Sequence, residues 1–211
     1  MPSEEELKDK LSLVDASKIS IEEGEVSFEK DGMQIDLGGI AKGYTSSGIM
    51  DIFDDYGVES GLVSLGGNVH LKGKKQDGSP WKVAIQNPDE TQDYLAVLEA
   101  GDVAVITSGG YERYFEEDGK TYHHILDPET GYPADSGILS ATVVTADGTL
   151  ADALTTSIYI MGTDEAIEYW KASEDDFDMI LYTDDGKLYV TEGIYGSITS
   201  PAGAQIVEVS R

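Results

Sequence analysis

The sequence has no cysteine, so disulfides, thiolate nucleophiles and zinc–thiolate centres are excluded at once. Cations are scarce: Lys and Arg together number 14 against 41 Asp and Glu, a formal net charge of −27, and only two of the 14 are arginine. Nucleic acids and anionic membranes are held through Lys and Arg, so a nucleic-acid partner is not expected. An anionic ligand would need a local positive or metal-filled pocket. Histidine is rarer still, at three residues. No apolar run approaches the length of a membrane span, and no transmembrane segment is expected. What remains is ordinary for a globular protein of 211 residues, with 40% hydrophobic and 26% charged residues.

Hydrophobic periodicity divides the chain into short elements. Ser3 can cap a first helix, with Glu6 reaching back to it and Leu7, Leu11 and Val14 as its apolar face. Residues 19–30 read as strand. A helix is expected over 40–56, with Ile49, Ile52, Phe53 and Tyr56 on one face and Gly57 as its stop. LVSLGGNVHL (62–71) reads as two strands joined at Gly-Gly, and WKVAIQNP as another strand. YLAVLEA and VAVITSGG, separated by Gly101-Asp102, suggest a hairpin. Tyr111, Tyr114 and Phe115 read as a packed helical turn. Strands are expected at 120–126 and 139–145. DGTLADALTTSIYIMG reads as a buried helix through Ala151, Leu154, Ile158 and Met161, and a second helix follows around Asp164–Trp170. MILYTDDGKLYV is strand, Asp-Gly turn, strand. There is no repeat and no regular βαβ alternation, so the expected class is α+β.

Three places could carry chemistry. Asp152 and Thr156 stand at i and i+4, one turn apart on one helix face, where their oxygens could serve a hard cation such as magnesium. The same spacing allows Asp152 to cap or pair and Thr156 to bond back to its own helix. DLGGIAKGY (36–44) is a strand end, two glycines and a helix start, which offers backbone amides to a phosphate and adds Lys42. It matches neither common phosphate-loop pattern, and a tightly packed glycine turn fits it equally. In HHILDPETGYPA (123–134) two histidines are adjacent, so on a strand only one can face a given site. That one could take a proton from a hydroxyl near neutral pH, or simply bond a backbone carbonyl. The acidic runs 174–176 and 184–185 do not fit a calcium loop and read as solvated surface.

Taken in order, DLGGIAKGY, LVSLGGN, TSGGYERYF, YHHILDPETGYPA and ADALTT resemble the signature segments of the ApbE family, the magnesium-dependent FAD:protein FMN transferases. The resemblance runs from about Ser3 to the end of the chain. It implies an ApbE-like α+β domain over residues 1–211, with FAD as substrate, Mg2+ as cofactor, and an acceptor protein bearing a Thr or Ser. It further implies that FMN is transferred to that hydroxyl and AMP released. Carried onto this sequence, it gives Asp152, Thr156, the adjacent Thr155 and the carbonyl of Gly39 to the metal. Asp36, Lys42 and Ile125 fall to the flavin nucleotide, and His124 to activation of the acceptor hydroxyl, with Asp127 ordering the loop. His124, not His123, is then expected to face the cleft where Gly39 and Asp152 meet. Family members are usually exported and membrane-tethered in bacteria. They carry a longer front portion, and this chain matches from near the middle of their pattern. Part of the FAD pocket is therefore expected to be missing, which suggests either a flavin transferase or a nucleotide-binding module without transfer activity.

Overall fold

The ADALTT segment forms the helix around which the rest is arranged. Asp147 caps it, accepting from the backbone N–H groups of Thr149 and Leu150, and the helix runs from Gly148 to Met161 with Ala151, Leu154 and Ile158 buried. In this computed structural model, which describes residues 2–89 and 93–211, it is the third of five helices among the described residues.

The chain begins with α1 (Glu4–Leu11), a 3₁₀ turn (Ala16–Lys18) and the hairpin β1 (Ile19–Glu22) and β2 (Glu25–Phe28). Next come α2 (Ala41–Asp55), β3 (Gly61–Leu65), β4 (Asn68–Lys72), β5 (Trp81–Gln86), β6 (Tyr94–Ala100) and β7 (Ala104–Gly109). The hairpin β8 (Tyr114–Glu117) and β9 (Lys120–His123) is followed by β10 (Ile138–Thr145), α3 (Gly148–Met161) and α4 (Thr163–Ala172). The chain ends with β11 (Asp178–Thr183), β12 (Lys187–Thr191), α5 (Glu192–Tyr195), β13 (Ile198–Thr199) and β14 (Gln205–Val209). No helix among the described residues is long and apolar enough to cross a membrane.

A seven-stranded sheet in the order β14-β12-β11-β10-β7-β4-β3 divides two cores. It is antiparallel except where β12 and β14 run parallel. Strand alternation assigns its side chains to two faces. Ala104, Ile106, Val143, Met179 and Leu181 pack against α3 and α4, whereas Val105, Ile180, Leu188 and Val190 face the smaller sheet β13-β6-β5. Helices and mostly antiparallel sheets make this an α+β fold.

Several sequence expectations hold in detail. The Ser3–Glu6 capping box forms. Gly66 and Gly67, at φ 57° and 94°, make the tight turn between β3 and β4. Others fail for identifiable reasons. Strands β6 and β7 do not pair, because the turn at Gly101-Asp102 carries the chain from the small sheet to the large one. Tyr114 and Phe115 lie on an exposed strand, not a packed helical turn, and Phe115 stacks on Tyr122 across the β8–β9 hairpin at 5.2 Å. Helix α2 turns Ile52 to solvent, as does its C-cap with Tyr56, and buries Gly43, Ser46 and Met50.

The small buried face of α2 follows from what it meets. A Cβ added to Gly43 would overlap the carbonyl oxygen of Gly148 and come within 2.5 Å of the Asp152 Cβ. Both obstacles belong to α3, so neither can swing aside, and the two helices approach this closely only because residue 43 has no side chain. Gly43→Ala should cost about 3 kcal/mol, the upper part of the overpacking range. Urea denaturation checks this, and an unchanged midpoint would mean that the helices have slack at this crossing.

Candidate active site

The α2–α3 crossing fixes the carboxylate of Asp152. Helix α2 begins without a side-chain cap of its own, its N-cap position being Ile40. Asp152 supplies one from the other helix: the Gly43 N–H donates to its Oδ2 at 2.8 Å. The Nδ2 of Asn68, on β4, donates to Oδ1 at 3.0 Å. The carboxylate is 5% exposed and stands at the positive end of a helix dipole. Capping and metal binding, the two roles its position in the sequence left open, are compatible. Each carboxylate oxygen has used one lone pair on a donor and keeps another.

Asp152 opens onto a cleft of about 650 Å³. One wall is the glycine turn before α2, with Asp36, Gly38, Gly39 and Lys42. Asp152 and Thr156 come from α3, and Thr107, Ser108 and Gly109 from the end of β7. Arg113, His124, Ile125 and Leu126 close the opposite side. Asp36 shapes the turn by accepting from the Gly38 N–H at 2.6 Å. A Cβ on Gly39 would meet no atom within 4 Å, so protein packing does not require glycine there. The space it leaves is room for something else.

Hydroxyl polarity behind the cleft is set by a short relay. Thr155 is fully buried and donates to the Asp152 carbonyl oxygen at 3.0 Å, while Ser108 donates to Thr155 at 2.9 Å. Ser108 and Thr156 lie 3.3 Å apart, and since the Ser108 proton is committed, Thr156 is the donor of that pair. The lone pairs of Thr156 therefore remain for a ligand. Thr155 does not line the cleft; it holds Ser108 in place from behind. Among the described residues no three His, Asp or Glu side chains converge on one point. One carboxylate, one hydroxyl and a glycine backbone nonetheless suit magnesium, which takes few protein oxygens and keeps water or phosphate in its other positions.

The histidine loop is built by Asp127. Its Oδ1 accepts from the Glu129 N–H at 2.8 Å and its Oδ2 from the Thr130 hydroxyl at 3.0 Å. Asp127 orders the loop without lining the cleft, and Leu7 and Leu11 of α1 pack over its turn at Gly131. His124 faces the cleft. Its Nδ1 lies 3.2 Å from the Arg113 carbonyl oxygen, which can only accept, so Nδ1 carries a proton and in the neutral ring Nε2 is the atom with the lone pair. His123 turns the other way, with its ring edge-on to Tyr159 and its Nε2 3.1 Å from the Ala134 carbonyl oxygen. Burial holds its pKa below the usual histidine value.

Reading the sequence alone gave no role to Asn68, Ser108 or Arg113. Asn68 ends LVSLGGN and the other two lie within TSGGYERYF, so both segments are visible as motifs. Asn68 and Ser108 point inward by their places on β4 and β7, and Arg113 acts from the turn before β8 through its backbone carbonyl.

The ApbE family matches residues 1–181. An FAD:protein FMN transferase of Vibrio cholerae is 36% identical over 187 residues, covering 88% of this chain and 56% of its own length. One of Klebsiella pneumoniae is 36% identical over 186 residues, covering 87% and 57%. Among solved structures, the ApbE protein of Thermotoga maritima superposes with a TM-score of 0.80 at 35% identity, covering 92% of this chain and 63% of its own. The flavin transferase ApbE of Vibrio cholerae gives 0.79 at 34%, covering 91% and 62%. The chain thus spans somewhat over half the length of these relatives.

Proposed function

The chain belongs to the ApbE family, and on that premise we propose that it transfers FMN from FAD to a Thr or Ser hydroxyl of an acceptor protein, in a magnesium-dependent reaction that releases AMP. One observation carries the proposal. Gly39, Lys42, His124, Asp152 and Thr156 come from three distant segments and line the same cleft. The names of the relatives support the reaction class.

In this reading Asp152, Thr156 and the backbone of Gly39 hold the magnesium, which when bound offsets the diphosphate charge and polarises the phosphorus under attack. Lys42 has no ion pair among the described residues and faces the nucleotide with its charge free, while Asp36 keeps the glycine turn open for it. Ile125 is 4% exposed and gives the flavin nucleotide a fixed apolar contact. The Nε2 of His124 takes the proton of the acceptor hydroxyl. The hydroxyl oxygen then bonds to the FMN-side phosphorus, the diphosphate P–O bond breaks, and AMP departs with the electron pair. The Arg113 carbonyl holds the imidazole in the tautomer this requires.

The test is chromatographic. With FAD, MgCl₂ and a threonine-containing peptide, AMP should appear together with a peptide heavier by FMN, and EDTA should abolish both. FAD that binds but releases no AMP would reduce the role to that of a nucleotide-binding module.

A further inference from the structure

His70, the third histidine, lies two residues beyond the LVSLGGN segment and has no role in the proposed reaction. It lies on β4 two residues from Asn68, and so on the same strand face. It is 4% exposed, with Nδ1 3.1 Å from the Oγ of Ser46 on α2. Ser46 is fully buried and donates its single proton to the Gly43 carbonyl oxygen at 2.9 Å. With the Ser46 proton on the Gly43 carbonyl, its oxygen accepts from Nδ1, and the backbone of Ala146 also engages the ring. Gly43 is the residue whose own N–H is bonded to Asp152. One strand face thus holds both halves of the α2–α3 junction: Asn68 grips the carboxylate, and His70, through Ser46, grips the helix turn that caps it.

We infer that His70 is a positioning residue for the cleft, holding the first turn of α2 through Ser46 so that the Gly43 amide and Lys42 stay in register with Asp152. The first turn of α2 has one other side-chain support, the Asp152 carboxylate on the Gly43 amide. Helix α2 has no side-chain cap of its own. A Cβ on Gly148 would come 2.6 Å from Ser46 Oγ and 3.0 Å from His70 Nδ1, so the start of α3 also closes directly on this pair. If the link to Ser46 is lost, the first turn of α2 is free to draw back, and the buried carboxylate loses one of its two donors. The local link rests on hydrogen bonding alone; its consequence for metal and nucleotide rests on the proposed function.

The inference predicts a pattern across three variants of the intact chain. His70→Leu removes the ring nitrogen. His70→Asn puts an amide nitrogen at the position of Nδ1. Ser46→Ala removes the hydroxyl with almost no change in volume, and it stands in should His70→Leu fail to fold. The first readout is hydrogen exchange of the Gly43 amide by NMR, which needs no ligand. Exchange should be at least tenfold faster in His70→Leu and Ser46→Ala, and within about threefold of the parent in His70→Asn. The second is the gain in FAD affinity on adding Mg2+, which should shrink about tenfold in the first two variants and be retained in the third. Unchanged Gly43 exchange in Ser46→Ala would overturn the inference, as would a His70→Asn chain as disturbed as His70→Leu, since ring volume alone would then explain the site. A parent chain with no magnesium effect on FAD would defeat the proposed function, and Gly43 exchange would still decide the role of His70.

Discussion

Asp152→Asn should remove the coupling between magnesium and FAD and lower the stability of the empty chain by about 2 kcal/mol. The two effects have one origin. Asp152 accepts from two buried donors, the Gly43 amide and the Asn68 side chain. Asparagine can accept the Gly43 N–H with its oxygen and donate its NH₂ to Asn68, whose amide flips to accept it, but both bonds then lose their charge-assisted strength. It also carries no charge, so the remaining oxygen lone pairs no longer offset a divalent ion. Asp152→Ala orphans both donors and should cost about 4 kcal/mol, twice the loss of the asparagine variant. Urea denaturation and calorimetry read the two effects separately. An asparagine variant that still binds FAD more tightly with magnesium would remove Asp152 from the metal site.

His124→Ala should slow transfer by about 10²–10⁴-fold, the usual contribution of a positioned general base, with FAD affinity changed less than about twofold. The imidazole is exposed and its Nδ1 is engaged by the Arg113 carbonyl, so its removal leaves no buried group unpaired and should hardly move stability. His123→Ala should behave in the opposite way. Its ring packs edge-on to Tyr159 and bonds the Ala134 carbonyl, so the loss falls on stability rather than on rate. Rates under saturating FAD and magnesium, set beside thermal melts of both variants, separate the neighbours. If His124→Ala keeps a rate within tenfold of the parent, the proton goes elsewhere.

Much of this arrangement could be read in the sequence. The buried face of α3, the Gly-Gly turn between β3 and β4 and the β11–β12 hairpin each depend on local pattern, and local pattern was enough. Sheet membership was not legible. YLAVLEA and AVITSG alternate as partner strands would, but alternation records only which side chains are buried and not against which strand, and β6 and β7 lie in different sheets. Helix α2 misled for a related reason. Ile52 and the capping Tyr56 are 54% and 83% exposed, while Gly43 and Ser46 join Met50 on the buried face, because closeness to α3 as well as apolar area governs it. Of the site, the segments were legible through their motifs, and helical spacing put Asp152 and Thr156 on one face without choosing between a structural and a ligand role. Asn68, Ser108 and His70 lie on strands, and what each faces is set by contacts with segments distant in the chain, which local pattern does not show.

In the proposed reaction a magnesium ion and the diphosphate of FAD share one cleft built on Asp152, Thr156 and Gly39. Calorimetric titration of FAD into the intact chain, with and without MgCl₂, addresses it most directly. Two protein oxygen side chains and a backbone carbonyl make an incomplete shell, so the metal alone should bind weakly, and the phosphate oxygens should complete it. Magnesium should therefore tighten FAD binding, and FAD should tighten magnesium binding by the same factor, because the coupling is reciprocal. Equal FAD affinity in the two titrations would contradict the claim.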